Sequence, residues 1–178
     1  MHDFAHLLDR SAHLLQPILI LVALTGWILT LVGQISAYRS RKLGSPRAIS
    51  GKFVAGMLLF AGVIGGEFAI AGVVKSAALE EIKPKLSSNI EAATINEVEF
   101  DRGNGLIEDL RALRDAPAHH SHPTRGFRVI LKTSRGPLAL QLCRDSENPH
   151  EYWVFYPGFY STKSNEVGRV FTAALDSI

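Results

Sequence analysis

Two long apolar runs set the pattern of this chain. Pro17–Ile35 is nineteen residues without a charge, and Phe53–Val74 is twenty-two residues whose single charge is Glu67. As a helix the first run spans about 28 Å, close to the hydrocarbon thickness of a bilayer. Both runs are too uniformly apolar for core helices of a small soluble domain, so the pattern predicts transmembrane helices over 17–35 and 53–74. The segment between them, 36–52, carries Arg39, Arg41, Lys42, Arg47 and Lys52 and no acid. Short loops rich in Lys and Arg stay on the cytoplasmic side. The expected topology is therefore a two-span hairpin with a cytoplasmic turn and both termini extracytoplasmic. A signal peptide fits the first run badly, because it is too long and a basic cluster follows it.

The flanks carry other periodicities. In 1–16, Phe4, Leu7, Leu8, Leu14 and Leu15 share one side of a helix, and His2, His6, Asp9 and His13 form a stripe on the other. This predicts an amphipathic interfacial helix, bent into the membrane at Pro17. Residues 75–93 read as a helical connector that breaks near Pro84.

From residue 94 the pattern becomes that of a small α+β domain. Thr94–Asp101 alternates as a half-buried strand, and Leu106–Asp115 places Leu106, Ile107, Leu110 and Leu113 on one helical face. Phe127–Ser134 and Pro137–Arg144 alternate on either side of a tight turn, which predicts a β-hairpin. Glu151–Tyr156 is apolar on both faces, as in a covered strand. In the tail, Val167, Val170, Phe171, Ala174 and Leu175 have helical spacing with Ser164 as a cap. Gly168 and the β-branched residues allow a short strand over 167–172 instead. With the helix, the domain 94–178 is β-α-β-β-β-α, a mainly antiparallel sheet with helices on one face.

Composition narrows the functions. The loop's five cations exceed the formal net charge of +2, so the basic excess reports topology and not nucleic-acid binding. One cysteine, Cys143, excludes an intramolecular disulfide. None of the specific nucleophile, phosphate-loop, dinucleotide or zinc-protease motifs occurs, so an enzyme is not the expected reading.

Four places carry candidate chemistry. His119, His120 and His122 share one loop and His150 lies in another. The hairpin between them brings both loops to one end of the sheet, beside Asp145 and Glu147. Such a set suits a divalent metal, although the spacing matches no strong pattern and no other cofactor is implied. Glu67 is an acid at membrane depth, about 5 Å outside the midpoint by helical rise. It is either a site of ion or partner contact, or a group neutralised by a proton or a hydroxyl such as Thr25. Gly62, Gly65, Gly66 and Ala69 form a small-residue face suited to packing on the first helix, on a second copy or on a membrane partner. Tyr156, Phe159 and Tyr160 flank Pro157-Gly158 as an aromatic cluster, in the core or exposed as a lip. The expected function is a membrane-anchored, non-enzymatic domain that binds a protein or ligand at the outer surface, as a subunit of a larger complex. The alternative is metal or pH sensing through the histidines.

Overall fold

The computed structural model describes residues 2–42, 51–100, 105–115, 120–176 and 178. Its contacts divide the chain into two compact units, Leu7–Gly72 and Val73–Ile178 together with the first residues up to His6. Two helices open the chain, α1 (His2–Lys42) and α2 (Gly51–Leu86). Helix α1 is continuous through Pro17. Helix α2 continues past Pro84 to Leu86.

Among the described residues these are two helices long and apolar enough to cross a membrane, and almost none of either apolar stretch is buried. Phe68 is 76% exposed and Leu58 69%. A soluble core helix buries such side chains, because each gives about 1.5–3 kcal/mol on leaving water.

The two helices of the hairpin meet through glycines. A Cβ on Gly56 would lie 2.5 Å from the Gly26 carbonyl oxygen and 2.6 Å from the Thr30 nitrogen. One on Gly33 would lie 2.6 Å from the Phe53 Cβ. Backbone therefore approaches backbone, as small residues permit. Gly62, Gly65 and Gly66 take no part in this contact, since a Cβ on any of them meets nothing within 4 Å among the described residues. The face with Ala69 that the sequence offers for helix packing is thus not the one on which α1 and α2 meet among the described residues.

Beyond α2 come β1 (Ile90–Ile95), β2 (Val98–Glu99), α3 (Leu106–Arg111), β3 (Pro123–Thr133), β4 (Gly136–Asp145), β5 (Glu151–Phe155), α4 (Tyr160–Ser164) and β6 (Gly168–Phe171). The described strands form one six-stranded sheet in the order β2-β1-β3-β4-β5-β6, antiparallel at every pairing. One face is the core side. Phe127, Val129 and Leu131 pair with Leu142, Leu140 and Leu138, and Tyr152 and Val154 continue the row onto β5. The last turns of α2 supply a matching buried stripe, Val74, Ala78, Ile82 and Leu86. Lys85 donates to the Pro137 carbonyl of β4 at 3.3 Å, and Arg111 of α3 donates to the Leu86 carbonyl at 2.9 Å. These bonds tie α2 and α3 to the sheet.

Several segments differ from the sequence reading: α3 stops at Arg111 short of Asp115, β3 begins at Pro123, α4 is an additional short helix that contains Ser164, and two differences change the topology. Thr94–Asp101 is not one strand, because the chain reverses at Asn96 and Glu97, whose φ values are 49° and 71°. Two positive φ values in a two-residue loop make a type I′ turn. Asn96 tolerates the left-handed region, and its Oδ1 accepts the Arg128 N–H at 2.9 Å. Residues 90–93, read as helical connector, accordingly belong to β1. The tail is a strand, β6, and not the favoured helix. The open edge of β5 offers ladder partners, and Gly168 suits the site because a Cβ there would lie 2.8 Å from the Arg114 carbonyl oxygen. Tertiary pairing overrides a helical spacing carried by β-branched residues. The Phe127–Arg144 hairpin and the strand from Glu151 form as read.

The glycine contact makes a direct prediction. Gly56→Leu should destabilise the hairpin by roughly 1–3 kcal/mol or more through overpacking, while Gly62→Leu should leave it unchanged. Denaturant titration in detergent micelles, followed by helical circular dichroism, measures both. Equal effects would contradict the assigned packing face.

Candidate functional site

The loop before β3 and the loop after β4 do meet at one end of the sheet, as the sequence suggested. Asp145 is their hub. It is buried, and its Oδ2 accepts from the Ser121 hydroxyl and from Trp153 Nε1 at 2.7 Å. Its Oδ1 accepts the backbone N–H groups of Glu147 at 2.8 Å and Asn148 at 3.0 Å. Burial alone would raise this carboxyl's pKa. The donors from Ser121, Trp153, Glu147 and Asn148 outweigh it and hold the group well below the usual carboxylate range. Four donors use up the acceptor capacity of one carboxylate. Asp145 is therefore a clamp between two loops and a strand, with no oxygen left over for a metal.

The histidines around it do not converge. His120 and His122 are exposed, and the His122 backbone exchanges hydrogen bonds with Ser146. His150 pairs with the C-terminal tail, its Nδ1 2.9 Å from Asp176 Oδ2. Among the described residues no group of three His, Cys, Asp or Glu side chains is placed to hold a metal ion. His119 lies outside the described residues. In the N-terminal stripe, the His6 ring stacks on Phe159 with centroids 4.1 Å apart, and His13 is exposed. The side chain of His2 lies outside the described residues.

Sequence reasoning missed Arg169, the largest side chain that is fully buried. It reaches Glu151 at 3.0 Å and Glu166 at 2.9 Å, and its guanidinium lies 4.1 Å from the Trp153 ring centroid. Burial would lower its pKa, but the hydrogen bonds and charges of Glu166 and Glu151 raise it. Removing one partner of such a buried pair costs about 3–5 kcal/mol, because the other charge is stranded. The available signal was a lone arginine in the apolar stretch Val167–Phe171.

The remaining candidates are structural. Cys143 is buried and its thiol pKa is raised by that burial, only partly offset by the Gln141 side chain, so it is a poor nucleophile. Tyr156 and Phe159 are buried, and only Tyr160 of the aromatic cluster is exposed. Burial, together with hydrogen bonding to Glu81 and its charge, pushes the Tyr156 hydroxyl pKa up. Among the described residues no buried side-chain nitrogen or oxygen lacks a hydrogen-bond partner.

Within the hairpin, Glu67 lines a crevice of about 450 Å³ between α1 and α2. Thr25, the hydroxyl offered as its neutralising partner, donates instead to the Leu21 carbonyl at 2.8 Å. Of the basic residues near the turn, Arg39 lies in the last turns of α1 and Lys52 in the first turn of α2, both exposed. Arg47 and the side chains of Arg41 and Lys42 lie outside the described residues.

On the opposite face of the sheet, over β1, β3 and β4, the described side chains are less covered. Thr94, Ile130 and Ala139 lie half-buried in one row, with Arg128, Lys132 and Gln141 exposed around them. Neither a known family, nor a curated protein, nor a solved structure matches the chain.

The Asp145 clamp predicts a pH dependence. Its native pKa lies below the unfolded value of about 3.9. Its stabilisation is therefore fully present above that value and is lost as pH falls toward the native one. Asp145→Asn should be less stable at neutral pH and should lose less stability on acidification. Denaturant unfolding monitored by Trp153 fluorescence, run from neutral to acidic pH, checks this. An unchanged acid slope in the variant would contradict it.

Proposed function

We propose that this protein is a membrane-anchored, non-enzymatic binding module. The hairpin α1–α2 sits in the bilayer with its basic turn in the cytoplasm, and the sheet domain works at the outer surface. The observation that carries the reading is a contrast within one chain. The hairpin leaves its apolar side chains uncovered, while the described domain satisfies every buried polar side-chain atom. Apolar surface left uncovered over two spans calls for lipid. A domain whose buried donors and acceptors are all used within the fold gives no support to catalysis there.

The sheet face over β1, β3 and β4 is the place for a protein partner. A shallow apolar row rimmed by Arg128, Lys132 and Gln141 has the apolar centre and polar rim of an interface. The exposed row Gly62, Gly65, Gly66 suits assembly with a membrane partner or a second copy. Sensing of metal or protons has less support, since His6 and His150 are engaged by different neighbours, Phe159 and Asp176.

The orientation rests on the basic turn, and reporter fusions in a bacterial host test it. Alkaline phosphatase fused at the C-terminus should be active, and green fluorescent protein fused there should be dark. The same reporters inserted between residues 43 and 50 should behave in the opposite way. A fluorescent C-terminal fusion would overturn the outer placement of the domain.

A further inference from the structure

We infer that the crevice between α1 and α2 is a binding site for a single-chain amphiphile with a protonated amine head, held by Glu67. The inference rests on the hairpin lying in a bilayer. The crevice has the volume of a small-ligand site, about 450 Å³. Its walls are apolar and include Ile20, Leu24, Trp27, Phe60 and Ile64. Next to Trp27 and Phe60, Gly26 and Gly56 bring the two backbones together. Further along α2 stands Glu67, the one charged residue among the lining side chains.

Three features select the ligand's chemistry. The walls offer no hydrogen-bonding side chain apart from Glu67 and the Trp27 indole, so the bulk of the ligand is hydrocarbon. Glu67 has no hydrogen bond or ion pair among the described residues, whereas the buried acids Asp145 and Glu151 of the domain are engaged. A carboxylate at that depth is stable only when protonated or paired, and a cation pairs it where a neutral head does not. Trp27 lies one residue nearer the turn than Gly26, which abuts Phe60, so it is about 12 Å from Glu67 along the helix axes by rise per residue. An alkyl chain whose ammonium meets Glu67 thus runs its middle carbons past the Trp27 ring.

This placement defines the experiment. The full chain is reconstituted in phosphatidylcholine nanodiscs and titrated with a long-chain alkylamine brominated at mid-chain. An alcohol of the same length and bromination serves as the neutral control. Bromine quenches indole on contact, and the Trp27 part of the signal is the part absent from Trp27→Phe. The expected result is saturable quenching of Trp27 by the amine, at mole fractions where the alcohol quenches only in proportion to its amount. Glu67→Gln should weaken the amine's effect at least about tenfold, since it removes one partner of a desolvated charge pair, while Glu67→Asp should restore part of it. Equal, unsaturable quenching by amine and alcohol would overturn the proposal, and so would a Glu67→Gln variant that binds as the parent does. Shielding of Trp27 from both probes would also overturn it, by showing that a second copy fills the crevice. A chain that fails to enter the nanodisc would bring down the bilayer reading itself, which separates that failure from the absence of amine binding.

Discussion

The domain depends on the burial of one stripe of α2 against one face of one sheet. Val74, Ala78, Ile82 and Leu86 recur at helical spacing, and all are buried. The buried sheet side is built from Phe127, Val129, Leu131, Leu138, Leu140 and Leu142, none more than 1% exposed, and Ile82 and Leu86 are as fully buried. Truncating a side chain such as Ile82 in a core of this kind costs about 2–5 kcal/mol. A six-stranded sheet with no helix layer on that side would leave its apolar face in water. The helix that is apolar all round over residues 53–74 therefore changes character near Val74. Beyond that point it is a one-sided core helix, with Lys75, Glu81 and Lys85 on its polar flanks engaged by Asp115, Tyr156 and Pro137.

Around that core the polar groups act as fasteners. Asp145 gathers four donors from two loops and a strand. Arg169 ties β6 to Glu151 of β5 and to Glu166, and Trp153 links the two clusters by meeting Asp145 with its N–H and Arg169 with its ring. Chemistry at such groups would first require breaking what holds the sheet. Glu67 stands apart because it is the one charged residue in an otherwise apolar lining, with no group of the described chain engaging it.

Legibility in the sequence followed the range of the interactions. The two apolar runs, the Phe127–Arg144 hairpin and the strand at Glu151 were readable, because hydrophobic period is a local signal. The turn at Asn96-Glu97 was missed because glutamate rarely marks a positive φ, and the side-chain bond from Asn96 to Arg128 that fixes it is not local. In the tail Val167, Val170 and Phe171 fit a helical face, yet β5 supplies an edge with which the segment pairs. For the site, the meeting of the loops at His122 and Asp145 was foreseen. The use of Asp145 by Ser121 and Trp153, and the pairing of Arg169, came from contacts far apart in the chain. The small-residue face was recognised in the right helix, but Gly26, Gly33 and Gly56 make the contact, since close approach depends on where two helices cross.

The central claim is that α1 and α2 lie in a lipid bilayer and that their uncovered apolar surface is there for that reason. Alkaline carbonate extraction of membranes from cells expressing the full chain, followed by flotation on a density gradient, tests it most directly. A hairpin embedded in lipid stays with the floating fraction after extraction and is released only by detergent. Release into the carbonate supernatant, with the chain folded and free of lipid, would contradict it.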